Sequence, residues 1–319
     1  CIRDSPGRLR IIDAQGRLME QPISGLPEIR AHGQGGLLDV ALHPDFANNG
    51  WVYLSYVEPG PDGMGTSIAR GRLSDMRLRD TRILFRLLPK SGNGRHFGSR
   101  LVFDREGHLF ITLGDRGDRP RAQDLSDHAG SVIRLNEDGG IPADNPFVGR
   151  RGMRPEIYSY GHRNIQGATL EPSTGRLWTH EHGPQGGDEI NLPEPGVNYG
   201  WPVITHGANY GLGTAIGEGT EGPGMAQPHY YWVPSIAPSG MTFYDGEQFP
   251  EWQGDLFIGS LKFSMLVRLE LQDGHVVHEE RMLEDTLGRI RDVRQGPDGL
   301  LYLLTDESNG QLVRLVPAG

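Results

Sequence analysis

Apolar residues recur at every second position in short runs, and each run ends in Pro, Asp, Ser or Gly. One unit returns along the chain: an alternating strand, a polar turn, then a second alternating strand. It reads LDVALHPDFANNGWVYLSY at 38–56 and RLVFDREGHLFITLGD at 100–115. It recurs as GATLEPSTGRLWTHEH at 167–182, GMTFYDGEQFPEWQGDLFIGSL at 240–261 and VRQGPDGLLYLLTDE at 293–307. Asp45, Asp104, Ser173, Asp245 and Asp298 hold equivalent turn positions, so the period is roughly 50–75 residues. Period-two strands joined by turn dipeptides predict hairpins, and Asn49-Gly50, Asp138-Gly139, Asp273-Gly274 and Asp298-Gly299 supply that chemistry. Helical periodicity is nearly absent.

Repeated hairpins with further strands between them predict propeller blades, because sandwich and β-helix repeats are shorter. SPGRLRIIDAQGRL at 5–18 reads as one more hairpin with no inner strand before it, the outer half of a sixth blade. The expectation is an all-β, six-bladed β-propeller of four-stranded antiparallel blades, the first blade truncated at its N-terminal side, with residues 1–319 as one domain. Cys1 fits two readings, the lipid-bearing start of a processed lipoprotein or a start set by truncation; a chain that begins inside a blade favours the second.

Composition narrows the classes. The 319 residues include 47 Gly and 23 Pro, well above their usual shares of roughly 7% and 5%, which excludes a coiled coil. A net charge of -10 disfavours a phosphate backbone as partner, so no nucleic acid is expected. No apolar run approaches the ~20 residues of a membrane span. A single cysteine excludes an internal disulfide.

Polar residues that break the strand pattern beside loops are the candidates for chemistry. His96 precedes one strand and Asp115 ends its partner; a carboxylate fixes the tautomer of an imidazole base. Arg163 and Asn164 precede another strand, and Lys262 follows one. Arg289 and Arg291 alternate, so both face one side of an extended segment. Such cations suit a polyanionic ligand, and each alone also suits solvated surface. In HEHGPQGGDEIN at 180–191, His180 and His182 share a strand face and suit a transition metal. The same stretch read as a glycine turn suits calcium through exposed carbonyls, with Asp188 and Glu189 adding charge or holding the loop. Arg116-Gly117-Asp118 matches an adhesion tripeptide, too short a match to carry weight.

GQGGLLDVALHPDF, HFGSRLVFD, SYGHRNIQG, EHGPQGGDEINLPEPGVNYGWP, PSIAPSGMTFY, LFIGSLK and GRIRDVRQGPDG occur in this order. Together they resemble the soluble PQQ-dependent aldose sugar dehydrogenases of the glucose/sorbosone dehydrogenase family, from about residue 5 to the C-terminus. The resemblance implies a six-bladed propeller that oxidises the anomeric hydroxyl of aldoses to lactones with pyrroloquinoline quinone (PQQ) and calcium. It implies His96 as general base, Asp115 as its orienting carboxylate and Arg163 as a stabiliser of charge on the reduced quinone. Gln34, His96, Arg163, Asn164, Lys262, Arg289 and Arg291 match PQQ-contacting positions. Gly183 and Pro184 match the residues whose carbonyls hold the cofactor calcium, and Glu221 with Tyr231 a second, structural calcium.

The resemblance further implies an aldose substrate, an external electron acceptor (cytochrome, quinone or dye) and a periplasmic or secreted location. Val233 stands where the glucose enzyme has an aromatic residue, which implies a broad aldose range; Tyr230, Tyr231 and Trp232 are candidate walls for sugar or PQQ, or strand core. The rival readings are a calcium-dependent lactone hydrolase of six blades and a non-catalytic binding propeller. The first needs carboxylates on the metal and no cationic cluster; the second would be expected to lose His96 or the cations.

Overall fold

The structure is a computed structural model that describes residues 2–3, 7–98 and 100–318. Cys1 and the first two residues of the expected 5–18 hairpin lie outside them. Nearly all regular structure is antiparallel strand. The helices among the described residues are one of four residues, Phe46–Asn49 (α1), and two 3-10 turns at Arg119–Gln123 and Pro250–Trp252.

The chain forms two compact units, Cys1–Asn164 with Glu194–Pro202, and Ile165–Pro193 with Val203–Gly319. The first unit begins with the pair β1 (Ile2–Arg3) and β2 (Leu9–Arg10). One four-stranded sheet follows, made of β3 (Leu37–Leu42), β4 (Trp51–Gly60), β5 (Gly63–Ser74) and β6 (Arg77–Arg86). The next is β7 (Leu101–Phe103), β8 (His108–Thr112), β9 (Ser131–Asn136) and β10 (Ile157–Tyr160). The second unit holds β11 (Ile165–Leu170), β12 (Leu177–Glu181), β13 (Asp188–Asn191) and β14 (Tyr230–Trp232). It continues with β15 (Pro238–Phe243), β16 (Leu256–Ser260), β17 (Leu266–Gln272) and β18 (His275–Met282). It ends with the three-stranded sheet β19 (Ile290–Gln295), β20 (Leu301–Thr305) and β21 (Leu312–Arg314).

Each of these five sheets pairs its strands in chain order, as a propeller blade does. Among the described residues the outcome is five blades, not six, and the expected truncated first blade does not fit. The alternating run at 5–18 does not make half a blade. Its pairing to β1 spans two residues per strand, and beyond it, among the described residues, the run forms the single bridge Ile12–Leu18. Asp13 closes the turn by accepting the N–H groups of Gln15 and Arg17, and Leu9 and Ile23 pack into the core beneath β3–β6 instead.

The cores lie between neighbouring sheets. In the first unit Tyr53, Ile68 and Phe85 meet Leu109, Ile111 and Ile133. In the second, Trp178 and Ile190 meet Met241, Leu256 and Val267, and Phe257 and Leu266 meet Val293 and Leu303. This explains near-continuous burial along β8, β9 and β16, which are covered on both faces.

Turn chemistry follows the residues. Asp273 and Gly274, with φ 51° and 76°, join β17 to β18 as a type I′ hairpin, where both central residues need positive φ. Asn49-Gly50 is different: Gly50 caps α1 in the left-handed conformation instead of turning a hairpin. The first strands of four sheets share a bulge near their N-terminal ends, at Leu37/Asp39, Ile165/Gly167, Pro238/Met241 and Ile290/Asp292. Bulges re-aim side chains, and Arg163, Asn164, Arg289 and Arg291 sit at or just before two of them.

Candidate active site

In the first unit the predicted residues form one constellation. His96 Nδ1 lies 2.6 Å from Asp115 Oδ1, and Asp115 is fully buried. The carboxylate is pinned further by the Gly117 N–H on Oδ1 (2.6 Å) and the Trp201 indole N–H on Oδ2 (2.8 Å). With Nδ1 donating to Asp115, Nε2 is left as the acceptor, and it has no hydrogen-bond partner among the described residues. Gln34 Oε1 accepts the His96 N–H at 2.7 Å. Asn164 Oδ1 accepts the Gly98 N–H at 3.2 Å, and the Arg163 carbonyl accepts the Asp115 N–H at 2.8 Å. The Arg163 guanidinium lies 5.3 Å from the Trp201 ring centre. Gln34 and Asn164 therefore hold the main chain at His96 and Gly98, Asp115 holds the imidazole, and the Arg163 charge acts on it.

The electrostatics suit a base. Burial pushes the His96 imidazolium below its ordinary pKa; the Asp115 hydrogen bond and charge oppose this, and Arg163 and Arg95 reinforce it. Burial alone would raise Asp115, but the His96 hydrogen bond and charge, the Gly117 N–H and Arg163 bring it below its usual value. The pair at neutral pH is a neutral imidazole on an ionised carboxylate.

In the second unit Gly183 and Pro184 open the turn between β12 and β13. A Cβ on Gly183 would lie 2.2 Å from the carbonyl oxygens of both Gly186 and Gly187, so this is a backbone cradle only glycine permits. Asp188 is spent on holding it. Its Oδ1 accepts the Gly183 N–H, and its Oδ2 accepts the Ser235 hydroxyl and the Ile236 and Ala237 N–H groups at 2.7–2.9 Å. A turn of crowded carbonyls with its carboxylate already committed fits a hard cation taken through main-chain oxygen. His180 and His182 do not form a metal pair: His182 Nε2 donates to the Pro238 carbonyl at 2.6 Å, and His180 is buried against Gly167. Glu189 stands opposite Glu181 across β12 and β13; burial and that neighbouring charge push its carboxyl well up.

Lys262 follows β16, exposed, with its main-chain N–H on the Ile236 carbonyl at 3.2 Å. Arg289 and Arg291 both reach Asp306 Oδ2, at 3.1 and 2.6 Å, so they share a face. These guanidinium and ammonium groups have the donor chemistry of a polycarboxylate site. Tyr230 and Trp232 both donate to Glu279 Oε2 and belong to the interior, whereas Tyr231 stacks on His206 at 3.9 Å and Val233 is exposed. Glu221 is exposed, and the one cluster of three metal-ligating side chains among the described residues, Asp104, Glu106 and His108, includes neither it nor Tyr231.

Trp201 and Asp306 are the partners that pattern reading missed. Trp201 sits 86 positions from the carboxylate it holds, inside a Gly-Trp-Pro turn with no strand pattern. One compositional signal was available for Lys262. The chain has only two lysines among 31 basic residues, and the other, Lys90, has its ammonium on Glu58 at 2.6 Å.

The Glucose / Sorbosone dehydrogenase family model matches residues 1–314. Aldose sugar dehydrogenase YliI of Escherichia coli is 50% identical over 315 residues, covering 98% of this chain and 85% of that protein. The crystal structure of the soluble aldose sugar dehydrogenase of Escherichia coli in the apo-form superposes with a TM-score of 0.95 at 49% identity, over 98% of this chain and 91% of that one. The PQQ-bound form of aldose sugar dehydrogenase from Streptomyces coelicolor superposes with a TM-score of 0.77 at 28% identity, over 98% and 87%. On these matches the chain belongs to the glucose/sorbosone dehydrogenase family and is an oxidoreductase acting on CH–OH groups of sugars.

Proposed function

We propose that the chain is a quinoprotein that oxidises the anomeric hydroxyl of aldoses to lactones with PQQ and calcium, and passes the electrons to an external acceptor. The observation that carries this reading is the His96–Asp115 pair, with Nε2 unclaimed among the described residues and Trp201 fixing the far carboxylate oxygen. PQQ, when bound, would supply a two-electron acceptor for the sugar's hydride, and calcium would supply Lewis acidity. His96 Nε2 takes the hydroxyl proton as the carbonyl forms, and Asp115 keeps Nδ1 protonated and stabilises the imidazolium. Gln34, Arg163, Asn164, Lys262, Arg289 and Arg291 would hold PQQ, Arg163 also answering charge on its reduced form. The carbonyls of Gly183 and Pro184 would hold its calcium, and Glu221 with Tyr231 a structural one.

The PQQ-bound relative supports the cofactor. The family resemblance of the motifs supports a periplasmic or secreted location; no helix among the described residues is long and apolar enough to cross a membrane. The test is reconstitution of apo protein with PQQ and calcium, followed by dye reduction with several aldoses. Turnover together with retained PQQ absorbance is expected; absence of both would sink the reading. His96→Ala should abolish turnover with PQQ still bound, and retained turnover would refute the base.

A further inference from the structure

Arg116 is fully buried, unusual for arginine, and no carboxylate is ion-paired with it among the described residues. Its guanidinium lies 3.5 Å from the Phe97 ring centre, and its terminal nitrogens donate to the main-chain carbonyls of Asn93 and Arg95. Its own N–H reaches the His96 carbonyl at 3.3 Å. One residue thus answers three carbonyls of the segment 93–97. A buried charge without an acid is expensive, and backbone oxygens are what compensate it here.

The segment it grips needs holding. His96 has φ 52°, in the left-handed region that side chains other than glycine seldom occupy and that surrounding structure must enforce. Gln34 holds the N–H of His96, and the Thr66 hydroxyl holds the Phe97 carbonyl at 2.9 Å. The approach to His96, residues 93–95, is held from the Asp115 turn. A Cβ on Gly117 would lie 2.6 Å from Arg95 Nε and 2.7 Å from Asn93 Nδ2, so segment and turn are in direct contact.

We propose that Arg116 is a positioning residue for the base: from the turn that carries Asp115 it clamps segment 93–97, so that imidazole and carboxylate ride on one rigid piece. This rests on His96 being the base. A side chain that merely supported the fold would lower stability without moving the imidazole.

The first readout needs no cofactor. In the apo protein the His96 Nδ1–H held by Asp115 gives a downfield proton resonance in NMR. In Arg116→Ala that resonance should broaden or vanish while the rest of the spectrum stays folded. In the PQQ-loaded enzyme kcat should fall roughly 10²-fold, the penalty for a base misplaced by about an ångström, with PQQ affinity and the aldose KM little changed. Millimolar guanidinium should restore part of kcat in Arg116→Ala and none in His96→Ala. Should Arg116→Ala not fold, Arg116→Lys and Arg116→Gln carry the same measurements. An unchanged resonance and kcat in a folded variant overturns the proposal, and so does a loss of kcat that guanidinium does not restore. If His96→Ala keeps its turnover, the base assignment has failed, and the apo resonance still decides whether Arg116 orients the ring.

Discussion

Trp201 and His96 grip opposite oxygens of one carboxylate: the indole N–H sits 2.8 Å from Asp115 Oδ2, and His96 Nδ1 2.6 Å from Oδ1. The two come from distant parts of the sequence and restrict Asp115 from both sides. Trp201→Phe keeps an aromatic ring beneath Arg163 but leaves Oδ2 with one donor fewer. A lost hydrogen bond to a buried charge costs about 1.5–3 kcal/mol, to be read from urea denaturation. The carboxylate, less satisfied, should draw the His96 proton harder. The acid limb of kcat/KM should therefore move to higher pH, and an unmoved limb would mean that Trp201 only packs.

The pH dependence follows from the two shifts. His96 is held below its ordinary 6.5, chiefly by burial. The unfolded chain therefore binds that proton first, and stability drops as pH falls from about 6.5 through the folded value. Asp115 is held below 3.8, so its contribution is present above that value and fades as pH falls through the lower folded pKa. Turnover, which needs neutral His96, should be flat across neutral pH and decline only on the acid side of 6.5. Asp115→Asn removes the influence that raises His96, so the acid limb should move lower still while kcat falls roughly 10²–10⁴-fold from tautomer loss. A pH–rate series on both proteins decides it.

Much of this architecture was legible because burial on one or both faces writes itself as alternation or apolar runs. Five hairpins and Asp273-Gly274 as a tight turn were readable from local pattern, whereas His96 and Asp115, expected at strand ends, lie in the loops before β7 and after β8. The 5–18 run misled because alternation reports a preference for extension and says nothing of partners; residues Ile12 and Leu18 alternate as blade strands do, yet meet in one bridge. Trp201, Asp306 and Arg116 escaped for a related reason. Their roles depend on long-range or buried contacts, and a buried arginine bound to carbonyls is indistinguishable in sequence from a solvated one.

Asp188 links the glycine turn to the segment 235–237, on which the Leu261 and Lys262 amides also rest. Asp188→Asn replaces one acceptor oxygen by an amide NH2 group that faces N–H donors. Unsatisfied buried donors should lower stability on the order of 3 kcal/mol, measurable by urea denaturation without calcium or PQQ. The affinities for both should fall together in titrations, because the turn and the Lys262 segment loosen at once. A variant that loses stability but binds both normally would show that Asp188 serves the fold alone.

Two glycine substitutions separate site from scaffold. At Gly114 a Cβ would lie 2.4 Å from the His96 carbonyl oxygen and 2.8 Å from Asn164 Oδ1. The first is backbone, so the His96 segment itself must move. Gly114→Ala should cost on the order of 2 kcal/mol and reduce kcat at least about tenfold, because displacing the base by a fraction of an ångström acts on the reaction directly. Gly274 lies in the outer β17–β18 turn at φ 76°, where a Cβ meets only the end of Arg176, at 3.2 Å. Gly274→Ala should cost about 1–2 kcal/mol for the left-handed conformation and leave kcat untouched. Equal effects of the two substitutions on kcat would mean that turnover follows global stability. A drop confined to Gly114→Ala would locate the sensitivity at the close approach of β8's end to His96.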